Sequence, residues 1–256
     1  MSFSSDKHIV LITGANGGIG FDTAKALAMH SPTYHVILCS RSLPKGEKAL
    51  SSIQALKPPG TLSLLELDVN SPTSISAAAK QVSEQFGHLD TLINNAGIYS
   101  PLTLPLSDQL TANLRTNTLG SLLVTEAFLP LLKKTPHTHT RRLITISSRL
   151  GSLSLKSDPS TPHNTEPHMA YRISKAAVNM MTICYAQDLA KDGIKVFAVC
   201  PGYVVTNLSG EEDRENRVKR GAGSSEVSAE TILGVVEGGR DGEAGGFLHK
   251  DGVYPW

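Results

Sequence analysis

The chain has 256 residues, of which 40% are hydrophobic, 18% charged and 5% aromatic. That is enough length and apolar material for a sizeable core, and it excludes collagen, coiled coil or extended disorder as a description of the whole. Twenty-four Lys and Arg against 23 Asp and Glu leave a formal net charge of +1, so neither nucleic acid nor an anionic membrane is expected as a partner.

Short apolar runs at 8–12 (HIVLI), 34–40 (YHVILCS), 62–67, 91–94, 143–146 and 195–200 (KVFAVC) are rich in Val, Ile and Leu without strict alternation. Strands buried on both faces read this way. Helical periodicity occupies 19–29, 45–56, 74–86, 110–132 and 169–191, and a last short strand is expected at 247–250. The alternation predicts an α/β fold, one doubly wound domain over 1–256 with helices on both faces of a parallel sheet. Three stretches depart from it: a Pro-rich loop at 156–168 (KSDPSTPHNTEPH), a charge run at 211–220 (EEDRENRVKR) read as a solvated helix, and turns at 238–246.

Cys39, Cys184 and Cys200 each sit in apolar surroundings and read as small buried hydrophobes in a reducing compartment. Residues 1–7 are polar, and no apolar run approaches the roughly 20 residues that span a bilayer, so a cytoplasmic protein is expected. His137, His139, His163 and His168 have no carboxylate or cysteine at ligand spacing; they read as solvated loop histidines, and no metal is expected. No GxSxG elbow is present.

The first strand runs into Thr13-Gly14-Ala15-Asn16-Gly17-Gly18-Ile19-Gly20 and then a helix. Gly14 suits a tight exit from the strand, Gly18 lets backbone approach a diphosphate, and Gly20 permits close helix–strand packing. The helix N-terminus offers free N–H groups to the anion. After the second strand, dinucleotide folds place the residue that meets the adenosine ribose. Ser40 and Arg41 stand there, with no acid before Glu47. A missing carboxylate and a guanidinium favour NADP, and NADPH over NADH.

Tyr171 and Lys175 lie four apart on an expected helix, hence on one face. An ammonium about 4 Å away at an effective dielectric of 20 is worth roughly 4 kcal/mol, or about three pKa units. That would bring a phenol into the range of neutral acid–base chemistry.

With these motifs, the chain resembles the short-chain dehydrogenase/reductase family over nearly its full length. The resemblance is carried by TGANGGIG at 13–20, Asp68-Val69, Asn94-Asn95-Ala96-Gly97, Asn117, Ile146-Ser147-Ser148, Tyr171-Arg172-Ile173-Ser174-Lys175 and Pro201-Gly202-Tyr203-Val204-Val205-Thr206, in that order. It implies a Rossmann-type domain with about seven parallel strands, binding NAD(P) and moving hydride to or from a small-molecule carbonyl or alcohol. It assigns Tyr171 as general acid/base, Lys175 to lower its pKa and hold the nicotinamide ribose, and Ser148 to bond the substrate oxygen. Asn117 would anchor a water leading from Lys175 to solvent. The cofactor would be held by Gly14, Asn16, Gly18, Ile19, Gly20, Ser40, Arg41, Asp68, Val69, Asn95, Ala96, Gly97, Tyr171, Lys175, Pro201, Gly202, Val204 and Thr206, with Asn95 bracing the sheet and Thr206 capping a helix as the plainer alternatives.

Ser148 and Tyr171 are 23 apart, wider than is usual in the family, and the surplus is the Pro-rich loop. Loops near 150–168 and 203–224 are expected to cover the substrate. The YRISKAAVN wording and the Asp251-Gly252…Pro255-Trp256 ending resemble C-factor and sniffer-like carbonyl reductases and fungal ketoreductases of the norsolorinic acid type. The expected function is NADPH-dependent carbonyl or keto reduction. The alternatives are an NAD-dependent alcohol dehydrogenase running oxidatively and a non-catalytic dinucleotide sensor. The apolar breadth of the helix after Tyr171 implies a homodimer or homotetramer.

Overall fold

The computed structural model describes residues 7–135, 139–161 and 168–256. The first half alternates β1 (His8–Ile12), α1 (Gly18–His30), β2 (Tyr34–Ser40), α2 (Leu43–Gln54), β3 (Thr61–Glu66) and α3 (Pro72–Phe86). Next come β4 (Thr91–Asn94), α4 (Leu106–Asn113), a π-helical turn (Leu114–Gly120), α5 (Ser121–Lys133), β5 (Arg141–Ile146) and α6 (Leu153–Ser157). The remainder is α7 (Met169–Asp188), β6 (Ile194–Val199), α8 (Arg214–Lys219), α9 (Ser225–Val236), β7 (Phe247–His249) and β8 (Gly252–Tyr254).

Among the described residues the sheet has eight strands in the order β3-β2-β1-β4-β5-β6-β7-β8. Strands β1 to β7 are parallel and β8 returns antiparallel along β7. The expected seven parallel strands are present, and β8 is an added antiparallel edge strand. Only Lys250 and Asp251 separate β7 from β8, a connection that permits a hairpin but no crossover. Strand order reverses between β1 and β4, and ligands of open α/β sheets bind at such a switch point, beyond the carboxyl ends of the strands.

Burial on both faces explains the lack of alternation in the sequence. In β1, Ile9 and Leu11 pack with Ile75, Val82, Val124, Phe128 and Tyr185 on one face. Val10 and Ile12 pack with Ala24, Leu27, Ala49, Ile53, Ile232 and Val235 on the other. Two hydrophobic layers therefore sandwich the sheet.

The long helix expected over 110–132 begins earlier, at Leu106, and is divided by the π turn. Helix α9 was not assigned from the sequence, because its short apolar stripe lies between a charge run and a set of glycine turns. Ser224 caps it by accepting from Glu226 N at 3.2 Å, and it docks on α1 through Ser225 to Asp22 and Lys25 to Glu226. The loop expected over 156–168 begins within α6, and residues 162–167 lie outside the described residues, as does His137.

His139 departs from a solvated loop histidine. Its Nδ1 is 3.1 Å from Oδ1 of fully buried Asp90, and its ring lies 5.6 Å from that of His8. The expectation that no carboxylate stands near it fails because Asp90 is 49 residues away in sequence. The cluster lies at the amino ends of β1 and β4, and Asp90 Oδ2 accepts from Ile9 N at 2.6 Å, tying the two strands together.

Candidate active site

At the carboxyl end of β1 the chain turns sharply, with Gly14 at φ +63°, a conformation that glycine adopts without strain. Gly20 has no room for a side chain: a Cβ would fall 2.4 Å from Asn95 Nδ2 and 2.9 Å from the Gly14 carbonyl oxygen. Asn95 holds the turn by donating from Nδ2 to the carbonyls of Thr13 (2.8 Å) and Gly14 (3.2 Å). Thr13 Oγ1 in turn accepts from the backbone N of Asn95 and of Ala96, each at 2.9 Å. The first helix then starts at Gly18 with no side-chain cap and no acid in its first turn. Its leading N–H groups face an anion-ready concavity.

A cleft of about 470 Å³ extends from this turn to α7. Of the residues expected to hold the cofactor, it is lined by Gly14, Asn16, Gly18, Ile19, Ser40, Arg41, Asp68, Val69, Asn95, Ala96, Gly97, Tyr171, Lys175, Pro201 and Thr206. Gly20, Gly202 and Val204 lie outside this lining. Gly20 packs beneath the turn, while Val204 is buried with its carbonyl accepting from Arg217 at 2.8 and 3.1 Å. Ser42, Lys45, Asn70, Thr116, Asn207 and Leu208 also line it and were not singled out from the sequence. Lys45 was discoverable as a second cation just after Arg41. Ser40 is buried, and its hydroxyl donates to the Ser42 carbonyl at 2.8 Å and accepts from Ser42 N.

Helix α7 brings Tyr171 and Lys175 to the inner end of the cleft, both buried. Their electrostatics differ from the expectation of an ammonium seated on the phenol. Lys175 donates from Nζ to the Ile146 carbonyl at 2.7 Å, and Nζ lies 5.8 Å from the centre of the Tyr171 ring. Burial pushes the Tyr171 phenol above its ordinary pKa, and the neighbouring Cys200 thiol acts in the same sense, against the Ser148 hydrogen bond and the Arg217 charge. Burial also lowers Lys175, to about 8. Desolvation outweighs the pair's attraction because the ammonium has turned to the end of β5. The expected lowering of the phenol by about three units is therefore corrected to a rise.

The two adjacent serines after β5 bond different partners, and of the two Ser147 is the one in the cleft lining. Ser147 is buried and donates to Asn179 Oδ1 at 2.5 Å on α7. Ser148 shares a hydrogen bond with the Tyr171 phenol. Asn117 sits in the π turn, buried, outside the cleft lining. Its Nδ2 donates to the Ile98 carbonyl and to Ser174 Oγ, each at 3.0 Å, and its Oδ1 accepts from Ile98 N at 2.8 Å. The carboxamide thereby clamps the loop after β4 against the helix that carries Tyr171.

The family model for short chain dehydrogenase matches residues 8–217. The chain belongs to the short-chain dehydrogenase family. It is 35% identical over 280 residues to the short-chain dehydrogenase/reductase eupG of a Phoma species, covering all of both chains. It is 28% identical to carbonyl reductase [NADPH] 1 of Rattus norvegicus, over 99% of this chain and 100% of that one. Among solved structures, the NADPH-bound carbonyl reductase from chicken fatty liver superposes with a TM-score of 0.78 at 33% identity, over 98% of this chain and 99% of that one. Membership establishes an oxidoreductase acting at a carbonyl or CH–OH group with a nicotinamide dinucleotide. Among the described residues no helix is long and apolar enough to cross a membrane.

Proposed function

We propose that the protein is an NADPH-dependent reductase of ketone or aldehyde carbonyls. The observation that carries this reading is the buried Tyr171 phenol, hydrogen-bonded to Ser148, at the inner end of the cleft that starts at the glycine turn. Burial keeps the phenol protonated at neutral pH, and its position beside Ser148 lets it deliver that proton to an alkoxide as it forms. Reduction is favoured over the oxidative reading by the Arg41 and Lys45 cations in the lining, which suit NADPH.

The lining residues suit a nicotinamide dinucleotide. The glycine turn and the uncapped start of α1 offer backbone N–H groups to a diphosphate, and Asp68 and Val69, also in the lining, would hold the adenine. Arg41, with Lys45 beside it in the lining and no acid at that turn, supports a 2′-phosphate. The cofactor would supply the hydride; the protein supplies orientation and charge. Ser148 and Tyr171 bond the carbonyl oxygen and stabilise the charge that develops there, and Tyr171 transfers its phenolic proton to that oxygen. Lys175 maintains positive potential at the cleft floor, and Asn117 fixes the loop and helix on either side of it. The segments near 150–168 and 203–224 would cover the substrate.

The test is NADPH oxidation against a panel of aliphatic, cyclic and aromatic ketones, with NADH for comparison and fluorescence titration of both cofactors. Tyr171→Phe should bind NADPH normally and lose about 10²–10⁴-fold in turnover. Wild-type protein that binds no dinucleotide, or a Phe variant with undiminished turnover, overturns the reading.

A further inference from the structure

A second aromatic pair stands against Tyr171. Tyr99, in the loop after β4, sets its ring 5.4 Å from that of Tyr171 with the planes at 62°. The His168 ring lies 5.1 Å from the Tyr99 ring at 80°, and the Tyr99 hydroxyl is hydrogen-bonded to His168 Nδ1. The two come from loops 69 residues apart, and neither lies in a motif that marked the family. Tyr99 also donates from its backbone N to the Leu208 carbonyl at 3.1 Å, and Leu208 lines the cleft. One residue thus touches the phenol, the start of α7 and the segment after β6.

His168 has φ +111° and ψ +27°, in the left-handed region that a side chain disfavours. Among the described residues the only other non-glycine with positive φ is Lys57, which does not line the cleft. A non-glycine in that conformation persists when its surroundings over-determine it, and such residues gather at functional sites. His168 is also the first rung of the helix, its carbonyl accepting from Arg172 N at 2.8 Å. The backbone that starts α7 is therefore set by the same residue whose imidazole holds Tyr99.

We propose that Tyr99 and His168 are a positioning pair for Tyr171, their hydrogen-bonded rings fixing the plane of the phenol so that its hydroxyl stays beside Ser148. The inference rests on Tyr171 being the proton donor of the proposed reduction. A phenol left free to rock about its Cβ–Cγ bond spends less time in the productive geometry, and small misplacements of a reacting group are costly in rate.

Three variants test it in the full-length chain. Tyr99→Phe removes the hydroxyl and keeps the ring; His168→Gly removes the imidazole and the backbone strain together; His168→Asn keeps a polar group and tolerance for positive φ. His168→Gly should melt no lower than wild type yet lose about tenfold in kcat with KM for NADPH unchanged. Tyr99→Phe should lose kcat in the same way, and His168→Asn should recover part of it. Independently of any substrate, ¹³Cζ-tyrosine NMR should give one narrow Tyr171 resonance in wild type, assigned by its absence in Tyr171→Phe. That resonance should broaden or split in Tyr99→Phe and His168→Gly.

A narrow Tyr171 resonance in both variants overturns the inference, as does kcat within twofold of wild type in both. Wild-type protein that binds no dinucleotide would instead overturn the proposed reduction, and the NMR result would still decide whether the pair positions Tyr171.

Discussion

Lys175 gives its ammonium to the carbonyl oxygen of Ile146 at 2.7 Å, and not to the phenol one turn earlier on its own helix. The lysine is thereby a buried cation at the carboxyl end of a central strand, and burial brings its pKa from 10.5 to about 8. In the unfolded chain it keeps its proton to the higher value. Between pH 8 and 10.5 the unfolded state therefore binds more protons at this residue, and the lysine's own contribution to stability rises with pH in that window. The increment is on the order of 3 kcal/mol at full extent. Chemical denaturation from pH 7 to 10 should show a more positive slope in wild type than in Lys175→Met, the buried Cys39 and Cys200 thiols contributing the opposite sense to both.

The two serines after β5 should separate stability from turnover. Ser147→Ala removes the 2.5 Å bond to Asn179, whose Nδ2 is already a buried donor without a partner, and leaves its Oδ1 unpaired as well. A loss of about 1–3 kcal/mol in unfolding free energy is expected, with a smaller effect on kcat per folded molecule than Ser148→Ala has. Ser148→Ala should do the reverse, costing about 10²-fold in kcat with little effect on melting, as removal of a donor to the developing oxyanion does. Denaturant titrations beside steady-state rates distinguish the two.

His35 is held between Thr61 Oγ1 (2.8 Å) and Ser63 Oγ (2.9 Å) across the β2–β3 pairing, and burial lowers its pKa to about 4. The unfolded chain takes up this proton near 6.5, so the stability held above that pH is lost progressively as pH falls to 4. His35→Gln should reduce the slope of unfolding free energy between pH 6.5 and 4. A variant whose slope equals that of wild type would remove His35 as a source of acid sensitivity.

Arg41 is exposed at the cleft, beside Lys45 and with no carboxylate at that turn. Arg41→Ala should raise KM for NADPH by about tenfold and leave KM for NADH within twofold, as loss of a phosphate contact would. The ratio of the two kcat/KM values is the measurement. An equal change for both cofactors would make Arg41 a general contact rather than one to the 2′-phosphate.

The strand–helix alternation, the glycine turn and the pairing of Tyr171 with Lys175 on one helix are legible because each depends on local spacing. Runs such as HIVLI and YHVILCS carry their burial in composition, and Thr13–Gly20 carries its turn in glycine. What the sequence hid depends on rotamer and distance. The turn of Lys175 toward Ile146 could not be read from a four-residue spacing, so the pKa argument built on that spacing had the wrong sign. Asp90 and His139 are far apart in the chain, and β8 is set by a two-residue reversal at Lys250 and Asp251, where the expected last strand over 247–250 ends. Helix α9 draws its stability from docking on α1 more than from its own pattern.

The π turn at Leu114–Gly120 makes this helix sensitive to residue number as well as identity. Such a turn is wider than its neighbours by one residue, so deleting a single position there would restore a regular α-helix while rotating everything on one side of it by about 100°. Asn117 would swing away from Ile98 and Ser174, although no side chain had been altered. In this stretch, insertions and deletions should therefore harm activity far more than conservative replacements do, and they should do so in protein that is still folded and helical by circular dichroism.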